Sequence, residues 1–188
     1  FDIRKHVVEY DDVMNKQREV IYADRRKILS GESFRERVIE MLHRESDGVI
    51  DTFMAGNDPD LWDLEALHQN LSAIMPLPPD VTAAALGNMS RDEARRMVHG
   101  LIEEGYARKE ADLGEAHMRQ LERVVMLRTI DNLWVEYLTA MEELREGIGL
   151  RAYGQRDPLI EFKAEGYRMF QNLLETIQRE ITHTIFFV

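Results

Sequence analysis

The sequence predicts an all-α fold with one long N-terminal helix, a group of short helices and two long C-terminal helices. Apolar residues recur at steps of three and four along most of the 188 residues, as they do on the buried face of an amphipathic helix. No segment shows the alternation of apolar and polar residues that marks a half-buried strand. Proline, which interrupts helices, occurs only five times.

The composition disfavours several classes of protein. The net charge of -11 and the isoelectric point near 5.0 argue against a nucleic-acid partner, because an acidic protein is repelled by phosphate groups. The chain contains no cysteine, so neither disulfides nor thiolate metal sites are expected, as in a reducing cytosol. No apolar run reaches membrane-spanning length. The N-terminal FDIRKHVVEYDD shows neither a start methionine nor a signal peptide, which indicates a piece of a longer protein.

The first predicted element is a single long helix at residues 2–29. Its apolar stripe consists of Ile3, Val7, Tyr10, Met14, Ile21 and Ile28. Such a helix is about 40 Å long at 1.5 Å per residue. It is therefore too long to be buried entirely by a compact bundle of short helices.

Residues 31 to 110 are predicted to form several short helices joined by turns. Ser33 is a candidate N-cap for a helix whose apolar residues are Phe34, Val38, Met41, Leu42, Val49 and Phe53. A shorter helix then carries Leu61, Leu64, Leu67 and Leu71. The prolines of MPLPP predict an extended link. Ser90 begins a capping box that opens a helix through about Arg108. This region is a compact insert between longer elements.

From Gly114 onward the pattern returns to long helices. The first has a wide apolar arc that predicts packing on two sides, at Val124, Leu127, Ile130, Leu133, Trp134, Tyr137, Leu138, Met141 and Leu144. The second begins with Asp157 as its cap and Pro158 in its first turn. The stretch GIGLRAYGQRDP lies between them, so the two helices are expected to fold back as an antiparallel pair. The glycines of this stretch are expected to adopt left-handed conformations that end the first helix.

Two chemical interpretations of the sequence are unconvincing. Gly147, Gly149 and Gly154 lack the spacing of a phosphate-binding loop, and a helix precedes them where such loops follow a strand. Two ExxH sequences, ending at His43 and His68, match the half-sites of carboxylate-bridged metal enzymes, but two matches are close to chance in so acidic a chain. Glu40 and His43 are expected to face water as surface charges. A metal enzyme would contain iron or manganese, whereas no active site emerges from these patterns.

Two long segments of the sequence resemble a known family. They read FDIRKHVVEYDDVMNKQREVIYADRR at the N-terminus and MRQLERVVMLRTIDNLWVEYLTAMEELREGIGLRAYGQRDPLIEFKAEGYRMF near the C-terminus. With the acidic helical insert between them, they resemble the C-terminal part of SecA, the ATP-driven motor of bacterial protein export. The resemblance implies a scaffold helix at residues 1–30, a helical wing domain at 31–113 and the rest of the scaffold at 114–188. The last part includes a two-helix finger with its tip at about 147–157.

The resemblance also implies a function for the tip. In the family the tip enters the cytoplasmic mouth of the SecY channel and contacts the unfolded preprotein. Tyr153 matches the tip tyrosine of the family, and an aromatic ring suits a passing chain of any sequence. Arg151 and Arg156 are candidates to meet channel carboxylates or the phosphates of an anionic membrane surface. Leu150 completes the implied set of channel-contacting and substrate-contacting residues.

For the scaffold, the resemblance implies contacts with the motor and preprotein-crosslinking domains of SecA. Gln17 and Arg18 are candidates to face the motor, and Trp134 to anchor the base of the finger; Arg18 as a solvated side chain and Trp134 as plain core are the alternatives. No cofactor is expected in this chain, since ATP and Mg belong to the absent motor portion. The implied location is cytoplasmic, at the inner face of the plasma membrane. The remaining alternative is a free-standing helical adaptor that binds partner helices.

Overall fold

The computed structural model describes residues 2–151 and 157–188 and shows seven α-helices in them. These are α1 (Asp2–Leu29), α2 (Arg35–Phe53), α3 (Leu64–Ile74), α4 (Ala83–Gly87), α5 (Arg91–Leu113), α6 (Glu115–Arg151) and α7 (Pro158–Thr182), with a 3-10 turn at Pro59–Leu61. The described residues contain no strand. The predicted all-α fold and the single long N-terminal helix are therefore confirmed.

The helices form two compact units. The first unit comprises Phe1–Glu32 and Met126–Ile177, and the second comprises Ser33–Val125 and Gln178–Val188. Helix α1 lies in the first unit and α2 to α5 lie in the second, while α6 and α7 contribute residues to both. The division into scaffold helix, wing and finger stays a prediction.

The first helix of the second unit starts one residue later than the predicted cap implies. Helix α2 begins at Arg35 with Phe34 at its N-cap position, and no side chain caps it, so the prediction of Ser33 as the cap is wrong. Phe34 is buried, so apolar packing rather than a capping hydrogen bond holds this end. The predicted cap of α5 is confirmed, because the Ser90 hydroxyl accepts a hydrogen bond of 3.2 Å from the Glu93 amide.

Two apolar positions in the second unit also differ from the prediction. Ile50 is buried in α2 where Val49 was expected on the stripe. Leu61 is 81% exposed because it ends the 3-10 turn. Helix α3 begins only at Leu64, after Asp63 caps it by accepting a hydrogen bond from the Ala66 amide. A 3-10 turn and a separate α-helix therefore replace the one helix expected here.

A buried polar cluster joins α5 to the first turns of α6 within the second unit. Glu122 is 1% exposed and accepts a hydrogen bond from the Tyr106 hydroxyl. The Arg119 guanidinium lies 2.8 Å from Glu122 and 2.9 Å from Glu110. Arg35 of α2 closes the cluster through a 2.8 Å ion pair with Glu110. The charges are paired, which makes their burial tolerable.

Candidate functional site

The predicted tip lies where α6 ends and α7 begins. Helix α6 continues to Arg151, so Gly147 and Gly149 lie inside it. The described residues with positive φ are glycines elsewhere, at 31, 56 and 114. The expectation that these two glycines end the helix is therefore wrong, and Gly154 lies outside the described residues. Ile148 is fully buried between them, so packing of this turn outweighs the low helix propensity of its neighbours.

The described part of the tip presents one large apolar side chain to solvent. Leu150 is 76% exposed, because it lies two positions, about 200° of helical rotation, beyond the buried Ile148. On the other side of the tip, the Asp157 carboxylate accepts a hydrogen bond of 3.0 Å from the Leu159 amide, which confirms Asp157 as the cap of α7. The predicted contact residues Tyr153 and Arg156, and the side chain of Arg151, lie outside the described residues.

In the first unit, α6 and α7 lead to this tip. Tyr137 of α6 lies next to Phe170 of α7, with ring centroids 6.0 Å apart. Four residues later in α6, Met141 faces Gly166, four residues earlier in α7. The two helices are therefore antiparallel here. Helix α1 packs against both, and its Tyr10 meets Phe162 of α7 edge to face at 4.7 Å.

The three helices share one hydrogen-bonded cluster, which we call the Gln17 node and define as Gln17, Tyr137 and Gly166. The Gln17 side-chain amide donates to the Gly166 carbonyl at 3.2 Å. Its carbonyl oxygen accepts from the Tyr137 hydroxyl at 2.7 Å. Burial raises the pKa of Tyr137 to about 12, against a smaller opposing effect of the bond to Gln17. Tyr137 is thus a hydrogen-bond donor at neutral pH.

Gly166 allows the helices to approach one another closely at the node. A Cβ atom at this position would lie 3.2 Å from the Met141 methyl group and 3.9 Å from both Gln17 and Val13. Since glycine costs about 1 kcal/mol relative to alanine inside a helix, the close approach gives a physical reason for a glycine here.

Two ion pairs tie α1 to α6 on either side of the node. Arg25 donates to Asp131 at 3.0 Å, and Arg145 lies 3.3 Å from Asp11. Arg145 also lies over the Tyr10 ring, 5.4 Å from its centroid. Both pairs are partly exposed, so each contributes at most about 1 kcal/mol.

The structure shows the surroundings of the three predicted scaffold residues. Gln17 is only 7% exposed, and its side chain is hydrogen-bonded to Gly166 within the first unit. Arg18 is half-buried, bonds to Asn15 at 3.0 Å and lines a groove between α1 and α6. Trp134 is buried and stacks on Tyr137 with ring centroids 5.5 Å apart. Their roles toward the motor and the finger base stay predictions.

The first ExxH sequence occupies a different environment from the one expected. Glu40 is exposed and pairs with Arg44, but His43 does not face water, so that expectation is wrong. It stacks on His99 of α5, with centroids 4.1 Å apart and planes within 9°. Partial burial, followed by the neighbouring His99, lowers the pKa of His43, which favours the neutral ring. Stacked rings present their faces to each other, whereas a shared metal ion needs nitrogen lone pairs in both ring planes.

His68, the histidine of the second ExxH sequence, is also hydrogen-bonded within the protein, because its ring nitrogen Nε2 lies 3.0 Å from the Val81 carbonyl oxygen. Within residues 2–151 and 157–188, no cluster of three or more histidine or carboxylate side chains has the geometry of a metal site. In the same residues no helix combines the length and the apolar character needed to span a membrane.

Sequence reasoning identified Gln17 but missed its partners. Tyr137 was one of many apolar positions on α6, and nothing local marked its hydroxyl as buried. Gly166 offered the better signal, because an isolated glycine in the middle of an amphipathic helix often marks a close approach of another backbone or side chain. The node itself depends on pairs that lie 120 and 149 positions apart.

Comparison with known proteins matches the whole chain, residues 1–188, to the family described as the SecA wing and scaffold domain. A protein translocase subunit SecA from Dehalococcoides mccartyi is 48% identical over 186 residues, which cover 99% of this chain and 20% of that protein. The same subunit from Pelotomaculum thermopropionicum is 46% identical, covering 99% of this chain and 21% of that protein. The subunit from Roseiflexus is 45% identical, covering 98% and 19%. The chain spans about a fifth of the length of these curated relatives.

Proposed function

Because this chain belongs to the SecA wing and scaffold domain family, we propose that it is the mechanical module of a protein-export motor. It carries no catalytic centre of its own in this proposal. It receives movement from an ATP-driven motor and delivers it to a polypeptide in transit through a SecY-type channel. The observation that carries the proposal is the unit of α1, α6 and α7, in which a long helix is joined by buried hydrogen bonds to the two helices that lead to the tip.

The long helix has the dimensions that this role requires. Helix α1 contains 28 residues, which corresponds to about 40 Å, so its two ends can contact different domains of a larger protein. A packed helix moves as a rigid body, and displacement at one end is transmitted to the other. Arg18, half-buried at the rim of its groove, is the proposed contact with the motor. ATP and Mg bind in the motor portion.

The tip is the proposed point of contact with the preprotein. Leu150 is exposed at the end of α6, and Tyr153 follows it in sequence. Leucine and tyrosine offer apolar and π surface without requiring one hydrogen-bond pattern, which suits unfolded chains of many sequences. Arg151 and Arg156 supply positive charge for channel carboxylates or lipid phosphates. The proposed location is cytoplasmic, at the inner face of the plasma membrane.

Replacing the tip tyrosine tests the proposal in the full-length protein. Tyr153→Ala is expected to lower the rate of ATP-dependent preprotein transport into inverted membrane vesicles about tenfold, since losing about 1.4 kcal/mol of ring contact corresponds to that factor. Tyr153→Phe keeps the ring and is expected to transport at nearly the normal rate. The control is Tyr167→Ala, which removes an exposed ring from the side of α7. Normal transport by Tyr153→Ala would contradict the proposal.

A further inference from the structure

We propose that Gln17 is a positioning residue that fixes the register of α7 against α1 and α6, so that the tip follows the long helix. The inference rests on the proposed function. It assigns Gln17 a role inside the scaffold, which differs from direct contact with the motor. Gln17 contributes both a donor and an acceptor from a single side chain, and each is bonded to a different helix.

The surroundings of the node explain why a hydrogen bond is needed to set the register. The neighbouring contacts are apolar, made by Val13, Met141 and Phe170. Apolar burial is non-directional, so the buried area does not by itself fix which atoms of the helices face one another. The close approach at Gly166, where a Cβ atom would lie 3.2 Å from the Met141 methyl group, admits only a small residue at this level. Apolar packing therefore limits the alignment of the helices without orienting the polar groups of the node.

The hydrogen bonds of the node complete the selection of one alignment. A shift of one turn, about 5.4 Å, replaces Gly166 at this level by Phe162 or Phe170, whose side chains would lie where the Gln17 amide now reaches the backbone carbonyl. The amide would then be buried without a partner in a site that is 7% exposed, and an unsatisfied buried amide is costly. The observed register satisfies both ends of Gln17. Selection of helix register is the best-attested role of a single buried polar residue.

The first arm of the test measures the node in the 188-residue chain. Gln17→Met has nearly the same length and removes both bonds of Gln17. Tyr137→Phe keeps the ring and removes the hydroxyl's bond to Gln17 and its longer, 3.4 Å bond to the Gly166 carbonyl. Urea unfolding of the two single variants and the double variant forms a double-mutant cycle. We expect a coupling of about fivefold in the folding equilibrium constant. The control pair, Gln17→Met with Tyr167→Phe, combines the node with an exposed ring and is expected to be additive.

The second arm measures coupling in the full-length protein with membrane vesicles. The readout is the amount of preprotein transported per ATP hydrolysed. We expect Gln17→Met to lower this ratio about fivefold while ATP hydrolysis continues, and Tyr137→Phe to lower it less. A residue that only stabilises the fold would lower transport and hydrolysis together and leave the ratio unchanged.

The outcomes separate this inference from the proposed function. An additive cycle, or an unchanged ratio in a folded Gln17→Met protein, would overturn the positioning role of Gln17. If Gln17→Met does not fold, Tyr137→Phe decides by the same two measurements. Failure of the proposed function has a different signature, since Tyr153→Ala would then transport normally whatever the behaviour of the Gln17 variants.

Discussion

Gly166→Leu is expected to lower the free energy of unfolding of this chain by about 3 kcal/mol, the upper range for overpacking in a tight core. The Cβ atom alone would lie 3.2 Å from Met141 and 3.9 Å from Gln17 and Val13, so the rest of a leucine side chain has no space. The helices must separate, which also breaks the two bonds of Gln17. Urea unfolding followed by circular dichroism measures the loss.

Gly166→Ala is the matched control for this prediction. Its single methyl group meets the mobile end of Met141, which can shift by a few tenths of an ångström. Alanine also gains about 1 kcal/mol in helix propensity over glycine. The two effects nearly cancel, so stability close to that of the parent chain is expected. Equal stability of the alanine and leucine variants would show that α7 does not approach its neighbours closely at this position.

Glu122→Ala is expected to lower the free energy of unfolding by about 3 kcal/mol, the size of effect found when one member of a buried ion pair is removed. The variant leaves the buried Tyr106 hydroxyl without its acceptor and removes one of the two carboxylates paired with Arg119. It also opens a cavity at a position that is 1% exposed. The loss is a large share of the roughly 5–15 kcal/mol that stabilises a typical domain. Urea unfolding provides the measurement.

Two variants act as controls for Glu122→Ala. Glu104→Ala changes an exposed glutamate of α5, and its effect is expected to stay within about 0.5 kcal/mol. Glu122→Gln keeps the shape and the acceptor oxygen. Burial raises the pKa of Glu122, although Tyr106 and Arg119 oppose this. A raised pKa of an acid stabilises the folded state below the unfolded pKa, and this contribution is lost as pH rises through the folded pKa.

As pH rises through the folded-state pKa of Glu122, the parent chain should therefore lose stability relative to Glu122→Gln. A difference that is independent of pH would contradict the raised pKa. An effect of Glu122→Ala as small as that of Glu104→Ala would contradict the buried pairing altogether.

The elements that could be predicted depend on residues close in sequence. The apolar period of α1 extends over the whole helix, and Ser90 and Asp157 cap helices through amides two or three residues away. Such local signals are sufficient because the hydrogen bonds close within one turn. The antiparallel arrangement of α6 and α7 in the first unit follows from their periodicity and the short connection between them.

The incorrect predictions involve positions where tertiary packing decides. Glycine usually favours the end of a helix, but the fully buried Ile148 keeps Gly147 and Gly149 helical. His43 does not face water as predicted, because the ring of His99, from a helix much later in sequence, stacks on it. The Gln17 node could not be predicted from periodicity, because its amide meets residues 120 and 149 positions away. Propensity is a weak prior when packing partners are distant in sequence.

The most direct measurement of the proposed function is a crosslink from the tip. Tyr153→Cys is introduced into a full-length protein that is otherwise free of cysteine, a state this chain already satisfies. A preprotein carrying one cysteine is then stalled in the channel with ATP present, and disulfide formation is followed. We expect a crosslink that requires both channel and nucleotide. Crosslinks that form equally without either, or none at all while a control position reacts, would contradict contact between the tip and the moving chain.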